Sequence, residues 1–413
     1  MLGWGNRFNI CCFLDNNDYR FAGSGAEALL AADAVEVLQC PAGNAFSQLK
    51  DFHTSKPGWL FGHLAYDLKN ETEKLNSRHP DGVGFADMAF FRPRYLLMLR
   101  HNELRISSDA LTENEARGIY RECLQQPLPS VLNTTPVPAL GAHLDRSAYL
   151  HAVRALQEHI RKGDCYEVNF CREQFARVKI ADPLALFLRL NALSPSPFAA
   201  YYRQGARYLA CSSPERFLRK KGDTVISQPI KGTARREARP DADAALLQAL
   251  RSSAKERSEN VMIVDLVRND LSKTAVQGSV KVEELFGIYT FPQVHHMIST
   301  VSATLGPEHH FTDAVKHAFP MGSMTGAPKL RVMELIEQYE KSRRGLFSGA
   351  VGYITPEGDF DFNVVIRSIL YNAEDPYVSM QTGSAITFYC DPEKEWEECL
   401  LKAEALEAAL GGK

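Results

Sequence analysis

The sequence predicts an α+β fold built on large antiparallel or mixed sheets, and two observations carry that prediction. Strand-like runs follow one another directly, as in "ARYLACSS" (206–213) and "GDTVISQPI" (222–230). Strict strand–helix alternation, the mark of a doubly wound parallel fold, is missing. The chain also has 413 residues, of which 45% are apolar and 23% charged. That is the balance of a globular protein long enough to bury a large core.

Residues 1–126 form an N-terminal segment of mixed pattern. Residues 127–144 read as a linker, because "PLPSVLNTTPVPALG" holds four prolines and almost no charge. Residues 145–413 form a longer, more regular segment. It opens with a helix over 146–161, where Tyr149, Val153, Leu156 and Ile160 make one apolar stripe and Gly163 ends it. "DCYEVNFCREQFARV" (164–178) alternates like a strand. After the two strands at 206–230 come helical patterns at 242–250 and 255–271, then the extended stretch "VHHMISTVSATL" (294–305). "MGSMTGAPK" (321–329) opens a helix ending near Tyr339. A hairpin spans 349–372 with Pro-Glu-Gly-Asp at its turn. The last helix starts at Asp391, a good N-cap, with Pro392 at its first position, and runs to about Leu410.

The totals exclude several classes. A formal net charge of -3 offers no basic field for nucleic acid. No apolar run approaches the ~20 residues of a membrane span. "ICCFL" near the N-terminus is too short for a signal peptide. The nine cysteines are scattered without a C-x-x-C pair, which reads as reduced thiols in a cytoplasmic protein. None sits in a small-residue elbow, so no cysteine-dependent amidase is expected in this chain.

Several constellations can carry chemistry. Glu256 and Glu259 are three apart on one helix face; Glu395, Glu398 and Lys402 share a face of the last helix. Brought together, these faces suit a hard divalent cation such as Mg²⁺; apart, they are solvated surface. The glycine-rich "MGSMTGAPK" offers free backbone N–H groups to an anion, or is a plain helix start. Glu215 in "SSPERFL" is either a functional acid or half of a surface pair with Arg216. His296 is either a hydrogen-bonded histidine or a ligand. Arg367, between apolar neighbours, pairs with an internal acid or faces a substrate anion. The sharpest point is Lys231, between Ile230 and Gly232 in "ISQPIKGTARR". Desolvated, its amine loses its proton and becomes a nucleophile; otherwise it snorkels outward.

Taken in order, "GDCYEVNF", "SSPERFL", "PIKGT", "SENVMIVDLVRNDL", "VHHMISTVSATL", "PMGSMTGAPK", "GAVGYI", "NVVIRS" and "DPEKEWEECLLKA" resemble the chorismate-utilising enzymes. These comprise the anthranilate, aminodeoxychorismate, isochorismate and salicylate synthases. The strings cover nearly all of residues 145–405, and "GWLFGHLAYDL" resembles the family's N-terminal part. The resemblance implies an anthranilate synthase component I-like body: two large, mostly antiparallel sheets packed face to face with helices outside. The two segments would be intertwined within it.

Within the family, lysine in "PIKGT" marks the aminodeoxychorismate synthase branch, where anthranilate synthases typically carry alanine. The resemblance therefore implies that Lys231 attacks chorismate C2 and that Glu215 is the general acid for the departing C4 hydroxyl. Ammonia then adds at C4. Glu259 and Glu398 would ligate Mg²⁺, supported by Glu256 and Glu395. Arg367 and Lys402 would hold the pyruvyl carboxylate. Thr233, His296, Thr325, Gly326 and Gly383 would complete the substrate site. Ammonia would come from a separate glutamine amidotransferase subunit. The isochorismate and salicylate enzymes place a lysine base where this chain has Glu167, which argues against water as the nucleophile. Phe347, Ser384 and Ala385 depart from the family pattern near the substrate, and Glu167 replaces a common glutamine. No L-L-E-S-like string for tryptophan feedback is present. Two rival readings are anthranilate synthase component I and a chorismate-binding regulatory subunit without turnover.

Overall fold

A computed structural model describes residues 1–19, 26–127, 129, 137, 139–291 and 294–411. Most of the proline-rich stretch falls outside the described residues. Of its flanks, Val137 N–H donates to Leu410 O, and Gly141–Ala142 pairs with the strand Glu167–Ala176.

The adjacent strand runs of the sequence pair with one another, as expected for α+β. Among the described residues nineteen strands join in one hydrogen-bonded network, and its long pairings are antiparallel. Arg207–Ser213 lies between Phe198–Gln204 and Ser368–Asn372. Ala28–Cys40 pairs with Met88–Arg100, and Tyr377–Ile386 with Glu167–Ala176. Strands from the two halves of the chain interleave. Ile10–Asp15 pairs with Phe198–Gln204, and Leu60–Leu64 with Ala350–Ile354.

The pleat sorts these strands between two cores. Leu29 and Ala31 face a large cluster with Phe61, Phe90, Phe91, Leu218, Val301 and Phe362. Their neighbours Leu30 and Ala32 face a second cluster with Leu186, Phe187, Ala403 and Leu406 from helices. A strand buried on both faces reads as a continuous apolar run, which is why "ALLAA" shows no alternation. Each fully buried phenylalanine of the large cluster contributes roughly 1.5–3 kcal/mol of burial energy.

A third cluster packs the helices Arg146–Arg161 and Lys329–Tyr339 on the outer face of Glu167–Ala176, through Tyr149, Leu156, Val168, Phe170 and Leu335. The first helix has the bounds its pattern predicts. Asp145 caps it by accepting from Ala148 N–H at 2.8 Å, and Gly163 follows at φ +83°. The final helix, Pro392–Ala409, is capped by Asp391, which accepts from Glu393 N–H at 2.9 Å. All nine cysteines are free, in keeping with the reduced-thiol reading.

Candidate active site

Lys231 owes its position to a β-bulge. The strand Ile230–Arg235 pairs with Val294–Thr304 so that Ile230 faces Ile298 and Thr233 faces His296. Two residues, Lys231 and Gly232, therefore oppose one. A bulge bends its strand and re-aims a side chain, and here Lys231 turns inward, 8% exposed. Gly232 takes φ +91°, open to glycine at little cost, and packs against Glu256 and Leu250. The lysine–glycine pair is thus the geometry that buries an amine at a strand end.

The buried amine is charged rather than neutral at rest. Burial pushes its pKa down, but Glu167, Glu259 and Glu215 outweigh burial and raise it. Lys231 Nζ lies 2.5 Å from Glu167 Oε1. The sequence expectation that desolvation alone would neutralise the lysine is therefore corrected. The carboxylates come from distant segments and do not show in the local pattern.

Glu215 is 5% exposed, and burial pushes its pKa up to about 7, against the Ser323 hydroxyl, the Lys231 charge and the Ile230 N–H. It is not paired with Arg216. That guanidinium turns to Asp361, with Nε–Oδ1 at 2.9 Å and Nη2–Oδ2 at 3.0 Å. Successive residues of a strand point to opposite faces, so Glu215 stays available to the site. It lines a small cavity with Ser227, Pro229, Met321 and Ser323.

The two acidic helix faces lie close enough to feel each other's charge. Glu256, Glu259 and Glu395 all have raised pKa values, chiefly through burial and in part through neighbouring glutamates; Glu259 reaches about 7. Two lysines balance them. Lys255 Nζ sits 3.8 Å from Glu259 and 3.6 Å from Glu395, and Lys402 Nζ sits 2.5 Å from Glu398. Lys255 is four residues before Glu259, so the i, i+4 spacing carries the signal for this pair in the sequence. Among the described residues no three acidic, histidine or cysteine side chains are gathered closely enough to hold a metal ion. The donor chemistry nevertheless fits a hard divalent cation. These are carboxylate oxygens, and Glu259 Oε1 is buried without a hydrogen-bond partner.

The other expected residues divide. His296 is buried and neutral, its pKa lowered to about 3 by burial and by Arg367; its Nδ1 lies 2.9 Å from Thr233 Oγ1. Arg367 makes no hydrogen bond or ion pair to another described side chain, which leaves its guanidinium for an anion; burial lowers its pKa. Gly383 O accepts from Lys402 Nζ at 2.8 Å, so this glycine orients the lysine through its backbone. Thr325 is fully buried, and its hydroxyl donates to Met321 O at 3.1 Å within its own loop. Gly326 lies so close to the strand bearing Glu167 that a Cβ would stand 2.0 Å from Glu167 O. Thr325 and Gly326 therefore build the wall rather than present side chains to a ligand.

Of the departures, Ser384 is buried with its hydroxyl 3.0 Å from Tyr149 OH, on the outer face of its strand. Phe347 is buried in the large core.

A family model described as chorismate binding enzyme matches residues 9–408. The chain belongs to the chorismate-binding enzyme family. One member, aminodeoxychorismate synthase component 1 of Klebsiella aerogenes, is 34% identical over 84% of this chain and 76% of its own. Anthranilate synthase component 1 of Thermus thermophilus is 35% identical over 86% and 77%. The crystal structure of anthranilate synthase component I from Streptococcus pneumoniae superposes with a TM-score of 0.79, at 24% identity, over 94% of both chains. That similarity shows the fold. Relatives named aminodeoxychorismate synthase reach 34–42% identity, which favours conversion of chorismate to aminodeoxychorismate over the anthranilate alternative.

Proposed function

We propose that this chain is the chorismate-converting component of an aminodeoxychorismate synthase, joining chorismate and ammonia to give 4-amino-4-deoxychorismate on the way to 4-aminobenzoate and folate. The observation that carries this reading is Lys231, a buried amine aimed inward by a bulge beside acids. An anthranilate synthase has no use for a lysine nucleophile there, and neither has a subunit that only binds.

In this reading Lys231 attacks chorismate C2 and Glu215 protonates the C4 hydroxyl, which leaves as water. A carboxyl with a pKa of about 7 can hold that proton near neutral pH, as a general acid must. One difficult substitution becomes two easier ones. Arg367 and Lys402 orient the pyruvyl carboxylate, while His296 and Thr233 border the ring. Glu259 and Glu398, backed by Glu256 and Glu395, would hold Mg²⁺, which when bound supplies positive charge to the ring carboxylate. Ammonia would be delivered by a separate glutamine amidotransferase subunit, in the cytoplasm. No helix among the described residues is long and apolar enough to cross a membrane.

The test is product analysis. The purified chain is incubated with chorismate, Mg²⁺ and ammonium at alkaline pH, beside Lys231→Ala, and products are separated and weighed by mass spectrometry. Aminodeoxychorismate from the wild type, with a loss of about 100-fold or more in the variant, is expected. Anthranilate from the wild type would contradict the proposal, and no product at all would favour a binding role.

A further inference from the structure

Lys231 poses a problem for its own chemistry. The amine that attacks carbon must carry a lone pair, yet the pocket holds it as an ammonium. Glu167, Glu215, Glu256, Glu259 and Glu398 all bring negative charge to it, from one strand, one connecting segment and two helices. Some group must take one proton, and geometry limits the choice. Among the described residues only Glu167 forms an ion pair with Lys231, at 2.5 Å. Glu215 is committed to donating to the leaving hydroxyl. Glu259 is paired with Lys255, which also reaches Glu395, and Glu256 lies on that same helix without an ion pair to Lys231.

Glu167 is built to hold still. It is 1% exposed. Its strand is tied to the loop beside it through Ala327 and through Asn169 N–H to Thr325 O at 2.7 Å. Behind it, the buried Glu340–Arg344 pair clasps both pieces. Arg344 donates to Asn169 O at 2.8 Å and Met324 O at 2.6 Å, while Glu340 accepts from Cys171 N–H at 2.9 Å. Glu167 Oε2 is buried and has no hydrogen-bond partner. One oxygen of this carboxylate faces the ammonium, and the other is an acceptor with nothing bound to it.

We propose that Glu167 is the proton acceptor that unmasks Lys231, taking the ammonium proton as the amine attacks C2 and returning it when the amine leaves. The assignment rests on the covalent-lysine reading above, and its balance closes. Lys231 ammonium and Glu167 carboxylate become amine and carboxylic acid. The amine forms the N–C2 bond, the C4–O bond breaks, and the Glu215 proton leaves with the hydroxyl as water. Ammonia then bonds to C4 as the N–C2 bond breaks. The new C4 ammonium returns a proton to Glu215, and the released amine regains its proton from Glu167. Both acids end as they began. A glutamine at this position could hold the lysine by a hydrogen bond but could not take its proton.

The experiment is single-turnover adduct formation on the full chain with chorismate and Mg²⁺ but no ammonia, followed by intact mass from about pH 6 to about pH 10. Glu167→Gln should form the lysine adduct about 100-fold more slowly near neutral pH. Measured against wild type at the same pH, its rate should recover as pH rises and water takes the proton, while chorismate affinity stays unchanged. A carboxylate that only pins the ammonium predicts the opposite, because its removal frees the amine. A Glu167→Gln rate equal to or above wild type therefore overturns the assignment. Should that variant fail to fold, Glu167→Asp carries the test. Withdrawing the carboxylate by one methylene should slow adduct formation about tenfold with affinity unchanged, and a wild-type rate overturns the assignment. Wild-type enzyme that converts chorismate to aminodeoxychorismate without passing through an adduct overturns the covalent reading itself, and the role of Glu167 with it.

Discussion

Gly326 is the residue on which two walls of the site meet. It sits at φ +141°, and any side chain there would press on the carbonyl of Glu167. Backbone on both sides cannot give way as a flexible side chain can. Gly326→Ala should therefore cost about 1–3 kcal/mol, and its damage should reach Lys231 through Glu167. Thermal denaturation checks the first part, and adduct yield per folded molecule the second. Glu215 sets the pH behaviour of chemistry at the same scale. It acts in its protonated form, which is lost as pH rises through about 7. The adduct-forming step should therefore slow above that pH, and Glu215→Gln should flatten this limb while cutting the rate about 100-fold. A pH–rate profile of the single-turnover step reads both effects.

Elements were more legible than the contacts between them. The helix Arg146–Arg161 could be bounded from its apolar stripe, Asp145 and Gly163, because caps and periodicity are local. The final helix could be read from Asp391 and Pro392 for the same reason. Asp391→Ala should lower stability by about 1 kcal/mol and fray the turn that leads to Glu395, weakening Mn²⁺ binding measured by titration calorimetry. Unchanged stability would show that the cap hydrogen bond is dispensable. The bulge at Lys231 and Gly232 was not legible, since it depends on register with Val294–Thr304, some sixty residues away in sequence. The Lys231–Glu167 contact bridges 64 positions, and no periodicity reports such a meeting. The family resemblance implied Thr325 at the substrate site. Its hydroxyl instead satisfies its own turn.

At the scale of the molecule, one protein body carries several carboxyls that resist ionisation. Glu173, away from the lysine, accepts from Ser379 at 2.6 Å and Tyr377 at 3.2 Å, and burial pushes its pKa from 4.5 up to about 7. The folded state then keeps a proton that the unfolded chain releases. Stability falls as pH rises from about 4.5 to about 7 and levels off above that. Glu173→Gln should stabilise the protein on the order of 2 kcal/mol near pH 8 and little near pH 5, as read by melting temperature at each pH. The fold class was legible because adjacent strand runs favour antiparallel pairing. The interleaving of the two halves was visible only through family resemblance, because strand partners far apart in sequence leave no local mark. One bond, between Lys231 and chorismate C2, decides the proposed chemistry. The most direct measurement is peptide mapping by mass spectrometry after incubation with chorismate and Mg²⁺ in the absence of ammonia. A gain equal to chorismate less one water is expected on the peptide bearing Lys231, absent in Lys231→Ala and discharged by added ammonium. Aminodeoxychorismate formed at full rate with no such adduct at any time in the turnover would contradict that chemistry.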